Sequence, residues 1–291
     1  MNSNSKILNI FLHAVFILLL LCCLLPVVLV IIISVTDQSA IDANGYSFFP
    51  AKWSFAAYEY VFTQGGDVIN AYKVTILSTV IGTAISVLSI ALYAYPLSRP
   101  DLKFKKFFTF FVFFTMLFNG GLVSWYIVAT KYLQLKNSFL GLIFPLAMNA
   151  WYVIIMRTFF QSTIPPALIE ASKIDGAGEF RILVRIVLPL AVPAVATIAL
   201  FQTLAYWNEW YHPMLLINDK NLYSLQLLLQ IMMQNIRNIT EGGAELREGV
   251  EIPTDAVRMA LCVVAMGPIL IVYPFFQRYF IQGLTVGSVK G

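Results

Sequence analysis

Long apolar runs restrict the fold of this chain more than any other feature of its sequence. A helix needs about 20 apolar residues to cross the hydrocarbon core of a bilayer, and about six runs approach or exceed that length. Only 12% of the 291 residues are charged, whereas a soluble domain has about 25%. The predicted spans are Leu8–Ser34, Val74–Leu97, Phe104–Thr130, Phe139–Phe160, Ile186–Tyr206 and Met259–Ile281. We therefore predict an all-α integral membrane protein, with residues 1–291 forming a single membrane domain.

The first apolar run and the cysteines are both interpreted as parts of membrane spans. The run from Ile7 to Val35 is too long for the core of a signal peptide, and no convincing cleavage site of small residues follows it. Cys22, Cys23 and Cys262 all lie inside apolar runs, where cysteine behaves as a small hydrophobic residue. We expect a retained first span, no disulfide and no metal site.

The basic residues indicate how the spans are oriented. Lys and Arg accumulate in the short connections on the cytoplasmic side of a membrane. In a six-span arrangement most of them fall on the side of both termini, with Lys131 and Lys136 among the exceptions. The residues on that side are Lys6, Arg99, Lys103, Lys105, Lys106, Arg157, Lys173, Arg181, Arg185, Arg278 and Lys290. We predict a multi-pass protein with both termini in the cytoplasm.

A polar segment, residues 165–189, separates the fourth and fifth predicted spans. Proline at the first helical position loses no intrahelical hydrogen bond, so Pro165 and Pro166 favour the start of a helix. Asp175-Gly176 is typical of a tight turn, because glycine readily adopts the positive φ that ends a helix. A second helix carrying Glu179 would lead into the next span. The segment is predicted to form a cytoplasmic helix-turn-helix at the membrane surface.

The same segment resembles the EAA loop of bacterial ABC-importer permeases. The matching residues are Glu170, Ala171, Gly176, Ile186, Leu188 and Pro189. The longer pattern, with Ser172 where a second alanine is usual, is similar to the carbohydrate-uptake branch. The resemblance implies that residues 165–189 form a coupling loop that docks in a groove of a cytoplasmic ATPase. The implied coupling residues are Glu170, Ala171, Ser172, Asp175, Gly176 and Ala177.

Further segments are similar to permeases of the LplC type, a carbohydrate-importer subfamily that resembles the permease subunits of maltose transporters. These segments run from Met116 through Tyr126 to Pro145, from Trp207 to Trp210, and from Gly283 to Gly291. The resemblance implies that the C-terminal cytoplasmic tail, residues 282–291, reaches the ATPase dimer. The implied contacts are Gly287, Ser288, Val289, Lys290 and Gly291.

The resemblance also implies how the chain is energised and what it assembles with. No G-x-x-x-x-G-K-[ST] motif occurs in the sequence, so ATP and magnesium are expected on a partner ATPase. This chain is expected to bind no cofactor or metal and to catalyse no reaction itself. The implied partners are a second non-identical permease, a cytoplasmic ATPase dimer, an extracellular solute-binding protein, a sugar substrate and membrane lipid, but no nucleic acid. We expect a bacterial cell-membrane importer of a di- or oligosaccharide.

Aromatic and amide side chains within the spans or at their outer ends are candidates for a sugar path. Aromatic rings stack on the C–H faces of sugars, while amides form directional hydrogen bonds with sugar hydroxyls. The candidates are Asn119, Trp125, Tyr126, Asn149, Trp151 and Trp207. Interfacial aromatic belts and hydrogen bonds between helices explain the same residues without a substrate. Both interpretations stay open.

The longest external connection, residues 207–258, contains an apolar pattern of its own. Leu222–Met233 predicts a short amphipathic helix. The Gly- and Glu-rich patch that follows predicts a flexible loop.

Other functions fit the sequence less well but stay open as alternatives. A secondary transporter driven by an ion gradient normally needs charged side chains inside its spans, and few occur here. Two helices joined by a turn also occur in DNA-binding proteins, but the second helix here runs directly into a span. The polar segment could also be an amphipathic loop on the lipid surface. An ABC importer for a non-sugar solute, a scaffold and a membrane enzyme complete the alternatives.

Overall fold

Helices make up most of the residues that the computed structural model describes, which are 3–63, 68–241 and 255–269. The helices are α1 (Ser3–Ser34), α2 (Gln38–Asn44), α3 (Ala56–Thr63), α4 (Val68–Ser98), α5 (Lys105–Leu117), α6 (Gly121–Tyr132), α7 (Leu140–Leu146), α8 (Ala150–Thr163), α9 (Pro166–Ile174), α10 (Glu179–Leu190), α11 (Val192–Trp207), α12 (Tyr211–Leu216), α13 (Leu225–Glu241) and α14 (residues 255–269). The β-structure in these ranges is an isolated bridge between Thr36 and Trp53.

One compact unit comprises Met1–Val68 and Leu228–Pro268. Its long helix α1 is exposed along most of its length. Asp37 caps α2 and forms an ion pair with Lys52 at 2.9 Å. The side-chain oxygen of Gln38 accepts two backbone N–H groups at the start of α14, at 3.1 and 3.2 Å. Polar caps therefore fix the ends of the short helices in this unit.

A second compact unit comprises, among the described residues, Ile69–Leu227 and Ile269, and it contains a large buried core. Helices α4, α8, α10 and α11 contribute its largest fully buried side chains, which are Ile90, Met156, Ile182 and Ile198. Ile169 of α9 belongs to the same core. The polar segment is therefore anchored to the helices around it by apolar packing.

Three of the predicted spans are bent. Helices α5 and α6 meet at 116°, α7 and α8 at 56°, and α10 and α11 at 84°. Gly121 has a φ of +81° at the first bend, and Asn149 caps α8 after the second. At the third, α10 ends just after Pro189, and Pro193 lies in the first turn of α11, where a helix tolerates proline. Local turn chemistry thus interrupts runs that are continuous in hydropathy.

The packing of α4 against α11 depends on a glycine. A Cβ atom at Gly82 would lie 2.6 Å from the Tyr206 ring, which is closer than real contacts allow. The Tyr206 hydroxyl donates to the Ile143 carbonyl at 2.8 Å, and the buried Gln202 amide donates to the Ser86 hydroxyl. A small residue and internal hydrogen bonds thus hold these helices together, as is typical of helices packed within membranes.

The predicted all-helical fold is confirmed, whereas the number of spans stays a prediction. In the described residues, α1 and α4 are each long and apolar enough to cross a bilayer, and counting each bent pair as one span raises the number to five. The sixth predicted span, Met259–Ile281, lies only partly within the described residues, as part of α14. Helix α13 covers most of the predicted amphipathic pattern, while much of the Gly- and Glu-rich patch lies outside the described residues.

Candidate functional site

Helices α9 and α10 form a helical hairpin, residues 165–190, at the position of the polar segment. Pro165 is extended and Pro166 begins α9, so the helix starts where the proline pair predicted. On the inner face of α9, the side chain of Ile169 is buried, and the Ser172 hydroxyl donates to the Leu168 carbonyl at 2.7 Å. The hairpin therefore has one face that packs on the protein and another that is exposed.

Two hydrogen bonds close the turn between the helices. Gly176 has a φ of +79°, and its N–H donates to the Lys173 carbonyl at 3.0 Å. The N–H of Ala177 donates to the Ser172 carbonyl, also at 3.0 Å. This pair of bonds is a Schellman motif, which fixes the direction in which the chain leaves a helix. The predicted tight turn is present, and glycine is the residue that adopts its positive φ with least strain.

A lysine joins the two helices of the hairpin and connects them to the end of α4. Lys173 Nζ lies 2.7 Å from Glu179 Oε1 on α10 and 3.2 Å from Asp101 Oδ2 in the connection after α4. The other carboxylate oxygen of Glu179 accepts the Tyr95 hydroxyl of α4 at 2.5 Å. The orientation of the hairpin is therefore coupled to α4 by ionic and hydrogen-bonded contacts.

The end of α4 is itself tied to α8. Arg157 Nε donates to the Leu97 carbonyl at 3.2 Å, and Gln161 Nε2 donates to the Ser98 carbonyl at 3.3 Å. These carbonyls belong to the last turn of α4, which has no intrahelical donors for them, and a cation is favourable there. Helices α4 and α8 therefore give the hairpin a firm support.

The charges in this network persist over a wide pH range. The hydrogen bond from Lys173 lowers the pKa of Asp101 below its ordinary value, and hydrogen bonds to Glu179 and Asp101 raise the pKa of Lys173. The contribution of Asp101 to stability is complete above about pH 4 and is lost as the pH falls through its folded pKa. That of Lys173 is complete below about pH 10 and is lost as the pH rises through its raised pKa. We expect an intact network at neutral pH.

The predicted coupling residues are not equally accessible. Glu170, Ala171, Asp175 and Gly176 are exposed, whereas Ser172 is buried and Ala177 is half-buried. Neither an ion pair nor a hydrogen bond engages the Glu170 carboxylate within the described part of the chain. Ser172 and Ala177 instead form the turn, so their contribution to docking would be indirect. The assignment of all six residues to an ATPase contact stays a prediction.

The hairpin also presents an apolar side chain that the sequence pattern did not single out. Ile174, the last residue of α9, is 86% exposed beside the turn. Its position at the end of a predicted helix, beside a predicted turn, could have indicated that its side chain is exposed. Asp101 was also missed, although it is the one acid among the basic residues from 99 to 106. Tyr95 offered no local signal, since its contact with Glu179 depends on tertiary packing.

The two asparagines of the predicted sugar path accept backbone N–H groups at the starts of helices, and Asn149 is the N-cap of α8. Asn119 Oδ1 accepts the Gly121 N–H at 2.8 Å, and Asn149 Oδ1 accepts the Trp151 N–H at 2.9 Å. These bonds occupy the amide oxygens but not the amide N–H groups. The asparagines therefore have a structural role at two of the bends, and a contact with substrate stays a prediction.

The aromatic candidates differ in their surroundings. Trp151 is 56% exposed and Tyr126 is half-buried, whereas Trp207 is only 5% exposed and packs as part of the interior. The ring of Trp125 lies 4.8 Å from that of His212, a residue that the sequence pattern did not assign to the path. Trp125, Tyr126 and Trp151 thus remain accessible enough to contact a solute in this conformation, but Trp207 does not.

The carboxylate of Glu209 positions His212. Glu209 Oε1 accepts the His212 backbone N–H at 2.9 Å and lies 3.3 Å from its Nδ1 atom. Burial raises the pKa of Glu209, but the hydrogen bonds from His212 outweigh this effect, so the pKa lies below its ordinary value. A negative charge therefore remains beside the imidazole that packs on Trp125.

The predicted C-terminal contacts, Gly287, Ser288, Val289, Lys290 and Gly291, lie outside the described residues, as does the rest of the tail. Within the described residues, His, Cys, Asp and Glu side chains do not assemble in groups of three or more that could hold a metal ion.

Comparisons with known proteins agree on one family of membrane transport components. The family model described as a binding-protein-dependent transport system inner membrane component matches residues 77–286. The polygalacturonan/rhamnogalacturonan transport system permease protein YtcP of Bacillus subtilis is 41% identical over 84% of this chain and 85% of its own length. Protein LplC of the same organism is 35% identical over 89% and 86% of the two chains.

A solved structure agrees with these relatives. It is a chain of a bacterial ABC transporter involved in the import of the acidic polysaccharide alginate. The two folds match with a TM-score of 0.81 at 30% sequence identity, over 96% of this chain and 99% of that chain. The similarity therefore covers almost the whole protein.

Proposed function

Since this chain belongs to the family of binding-protein-dependent transport system inner membrane components, we propose that it is one of two non-identical permease subunits of an ATP-driven sugar importer. The two permeases together would enclose the translocation path. ATP and magnesium would bind to a separate cytoplasmic ATPase dimer, and an extracellular solute-binding protein would deliver the sugar. In this arrangement both termini and the hairpin face the cytoplasm of a bacterial cell.

The observation that carries this proposal is the construction of the hairpin. Its turn has a single defined geometry at Gly176, and Lys173 links its second helix to the end of α4. The side chains of Ile174 and Glu170 project from this hairpin, and other described residues do not cover them. Such an element transmits a rigid-body movement, whereas a flexible loop would absorb it. We therefore assign the hairpin to docking on the ATPase, which drives the change between inward- and outward-facing states.

The substrate class follows from the relatives and from the accessible rings. The name of YtcP refers to polygalacturonan and rhamnogalacturonan, and the description of the alginate transporter refers to an acidic polysaccharide. We propose that this chain transports a di- or oligosaccharide, with uronic-acid oligosaccharides as the first class to test. Trp151 is exposed, and Trp125 packs on His212, so a ring and an imidazole lie side by side. Rings contact the C–H faces of a sugar, and an imidazole is a hydrogen-bond donor for its carboxylate.

Reconstitution tests this proposal. The full complex, containing both permeases and the ATPase, is placed in liposomes with its binding protein outside and ATP inside. We expect uptake of labelled oligogalacturonide that depends on ATP and on the binding protein. Uptake by the permeases without the ATPase, driven by a proton or sodium gradient, would instead identify a secondary transporter. ATP-dependent uptake of a non-sugar solute, with no uptake of oligogalacturonide or maltodextrin, would contradict the sugar assignment.

A further inference from the structure

A cavity of about 580 Å³ lies between the end of α4 and the start of α10. Leu92, Pro96, Leu102 and Phe180 give it apolar walls, and Arg99 and Lys103 lie at its polar end. Nothing in the coupling or substrate assignments uses this space. Its volume is within the range of small-molecule sites.

The basic groups of the cavity have unused hydrogen-bonding capacity. The side chain of Arg99 is only 11% exposed, and its Nε atom lies 3.3 Å from Asp101 Oδ1. The geometry of that contact is not a hydrogen bond, so the Nε–H has no acceptor among the described residues, whereas Nη2 of the same guanidinium donates to Asp101 Oδ2 at 3.4 Å. Lys103 is exposed on the rim and has no ion pair or hydrogen bond within the same ranges. A buried donor without an acceptor is costly, which indicates that an oxygen-rich ligand fits here.

The acids that line the cavity are already neutralised. Asp101 and Glu179 both contact Lys173, and Glu179 also accepts the Tyr95 hydroxyl. Three cations, Arg99, Lys103 and Lys173, thus lie near two carboxylates, those of Asp101 and Glu179. The ligand that suits this end of the cavity is therefore an anion.

The apolar walls indicate that the anion carries a hydrocarbon chain. Leu92 lies on α4 inside a predicted span, six residues or about 9 Å before the last residue of that helix, and Arg99 follows the helix end. A segment of a water-soluble partner would have to enter the hydrocarbon region to fill that part. Basic pockets between helices on the cytoplasmic side are suited to anionic lipid headgroups. We propose that this cavity binds an anionic phospholipid of the cytoplasmic leaflet, with its phosphate at Arg99 and Lys103 and an acyl chain along Leu92, Pro96 and Phe180.

This inference rests on the orientation given under the proposed function, and it predicts selective lipid binding by the purified importer complex. The complex is titrated with phosphatidylglycerol or phosphatidylcholine and examined by native mass spectrometry. We expect phosphatidylglycerol to bind more tightly. Lys103→Gln should weaken that binding about fivefold, because each cation near an anionic headgroup contributes a factor of about five to the affinity. The double variant Arg99→Gln/Lys103→Gln should therefore weaken it about 30-fold. Lys106→Gln is the matched control, since Lys106 belongs to the same basic cluster but does not line the cavity.

A second variant tests the apolar part of the cavity without changing its charged residues. Leu92→Trp leaves every cation in place but fills the apolar part, and Leu92 is exposed enough to accept a larger ring. It should also weaken phosphatidylglycerol binding, and a diazirine on the acyl chain should label residues 92–102 or 180–183 in the wild-type complex. Equal phosphatidylglycerol binding by wild type, Lys103→Gln and Leu92→Trp would overturn the proposal. Crosslinking of the Leu92→Cys variant to a partner subunit in place of the lipid would also overturn it. Wild-type uptake alongside either result would leave the importer assignment intact.

Discussion

Lys173 Nζ lies 2.7 Å from Glu179 Oε1, and this contact crosses the turn at Gly176 that joins α9 to α10. The same lysine reaches Asp101 beyond the end of α4. The hairpin is thus connected to a helix of the membrane domain by side chains as well as by the backbone. In the proposed importer, this connection is the route by which movement of the ATPase reaches the translocation path.

The exposed isoleucine of the hairpin should contribute to ATPase binding. Ile174→Asp leaves the turn and the Lys173 contacts in place but puts a charge where an apolar side chain would be buried on docking. Loss of one buried isoleucine weakens association about tenfold or more. We expect far less ATPase to co-purify with the variant permease at equal expression. Ile174→Leu is the control, and unchanged co-purification with both variants would remove Ile174 from the docking surface.

The hydroxyl of Tyr95 should stabilise the attachment of the hairpin to α4. Tyr95→Phe removes the donor to Glu179 and leaves a carboxylate oxygen with one partner fewer. A hydrogen bond of this kind contributes about 1 kcal/mol, so the thermal midpoint of the purified complex should fall. Tyr93→Phe is the matched control, because Tyr93 packs against the same core and its hydroxyl has no partner among the described residues. Equal midpoints for the two variants would show that the Tyr95 contact does not stabilise the hairpin.

The close approach of α4 and α11 should make Gly82 intolerant of any side chain. In Gly82→Ala the added methyl group would lie 2.6 Å from the Tyr206 ring, so the helices must separate or the ring must move. Overpacking of this kind costs about 1–3 kcal/mol. We expect a lower thermal midpoint and less monodisperse protein in detergent. In Gly120→Ala, the control, the nearest atom would be 3.7 Å away. Equal stability of the two variants would contradict this packing.

The accessible tryptophans should affect transport of the sugar. Trp125→Ala combined with Trp151→Ala removes two rings that lie in or near bent spans. If both stack on the substrate, transport affinity or rate should decrease about tenfold. The measurement is the concentration dependence of ATP-driven uptake, with Trp53→Ala as a control for loss of an exposed tryptophan elsewhere. Unchanged uptake parameters in the double variant would assign the two rings to a structural role.

The sequence was informative where structure depends on neighbouring residues. Hydropathy predicted the helical class, the proline pair predicted the start of α9, and Asp175-Gly176 predicted its turn. Each of these features depends on backbone preferences within a few residues.

The sequence was less informative where structure depends on contacts between distant residues. Nothing near Tyr95 indicates that Glu179 would accept its hydroxyl, and nothing near Lys173 indicates that it would pair with Asp101. Trp207 belonged to a promising aromatic cluster, but tertiary packing buries it. Composition and spacing cannot distinguish an exposed ring from a buried one in a chain that is apolar throughout.

Substrate-stimulated ATP hydrolysis by the Gly176→Val complex is the most direct test of coupling through the hairpin. Gly176 has a φ of +79° and open space around its Cβ position, so valine acts there through backbone strain alone. Gly178→Val is the matched control, because Gly178 has equally open surroundings and a φ of −71° that valine adopts readily. We predict that the Gly176→Val complex loses stimulation by the loaded binding protein while the Gly178→Val complex keeps it. Full stimulation of the assembled Gly176→Val complex would contradict coupling through this turn.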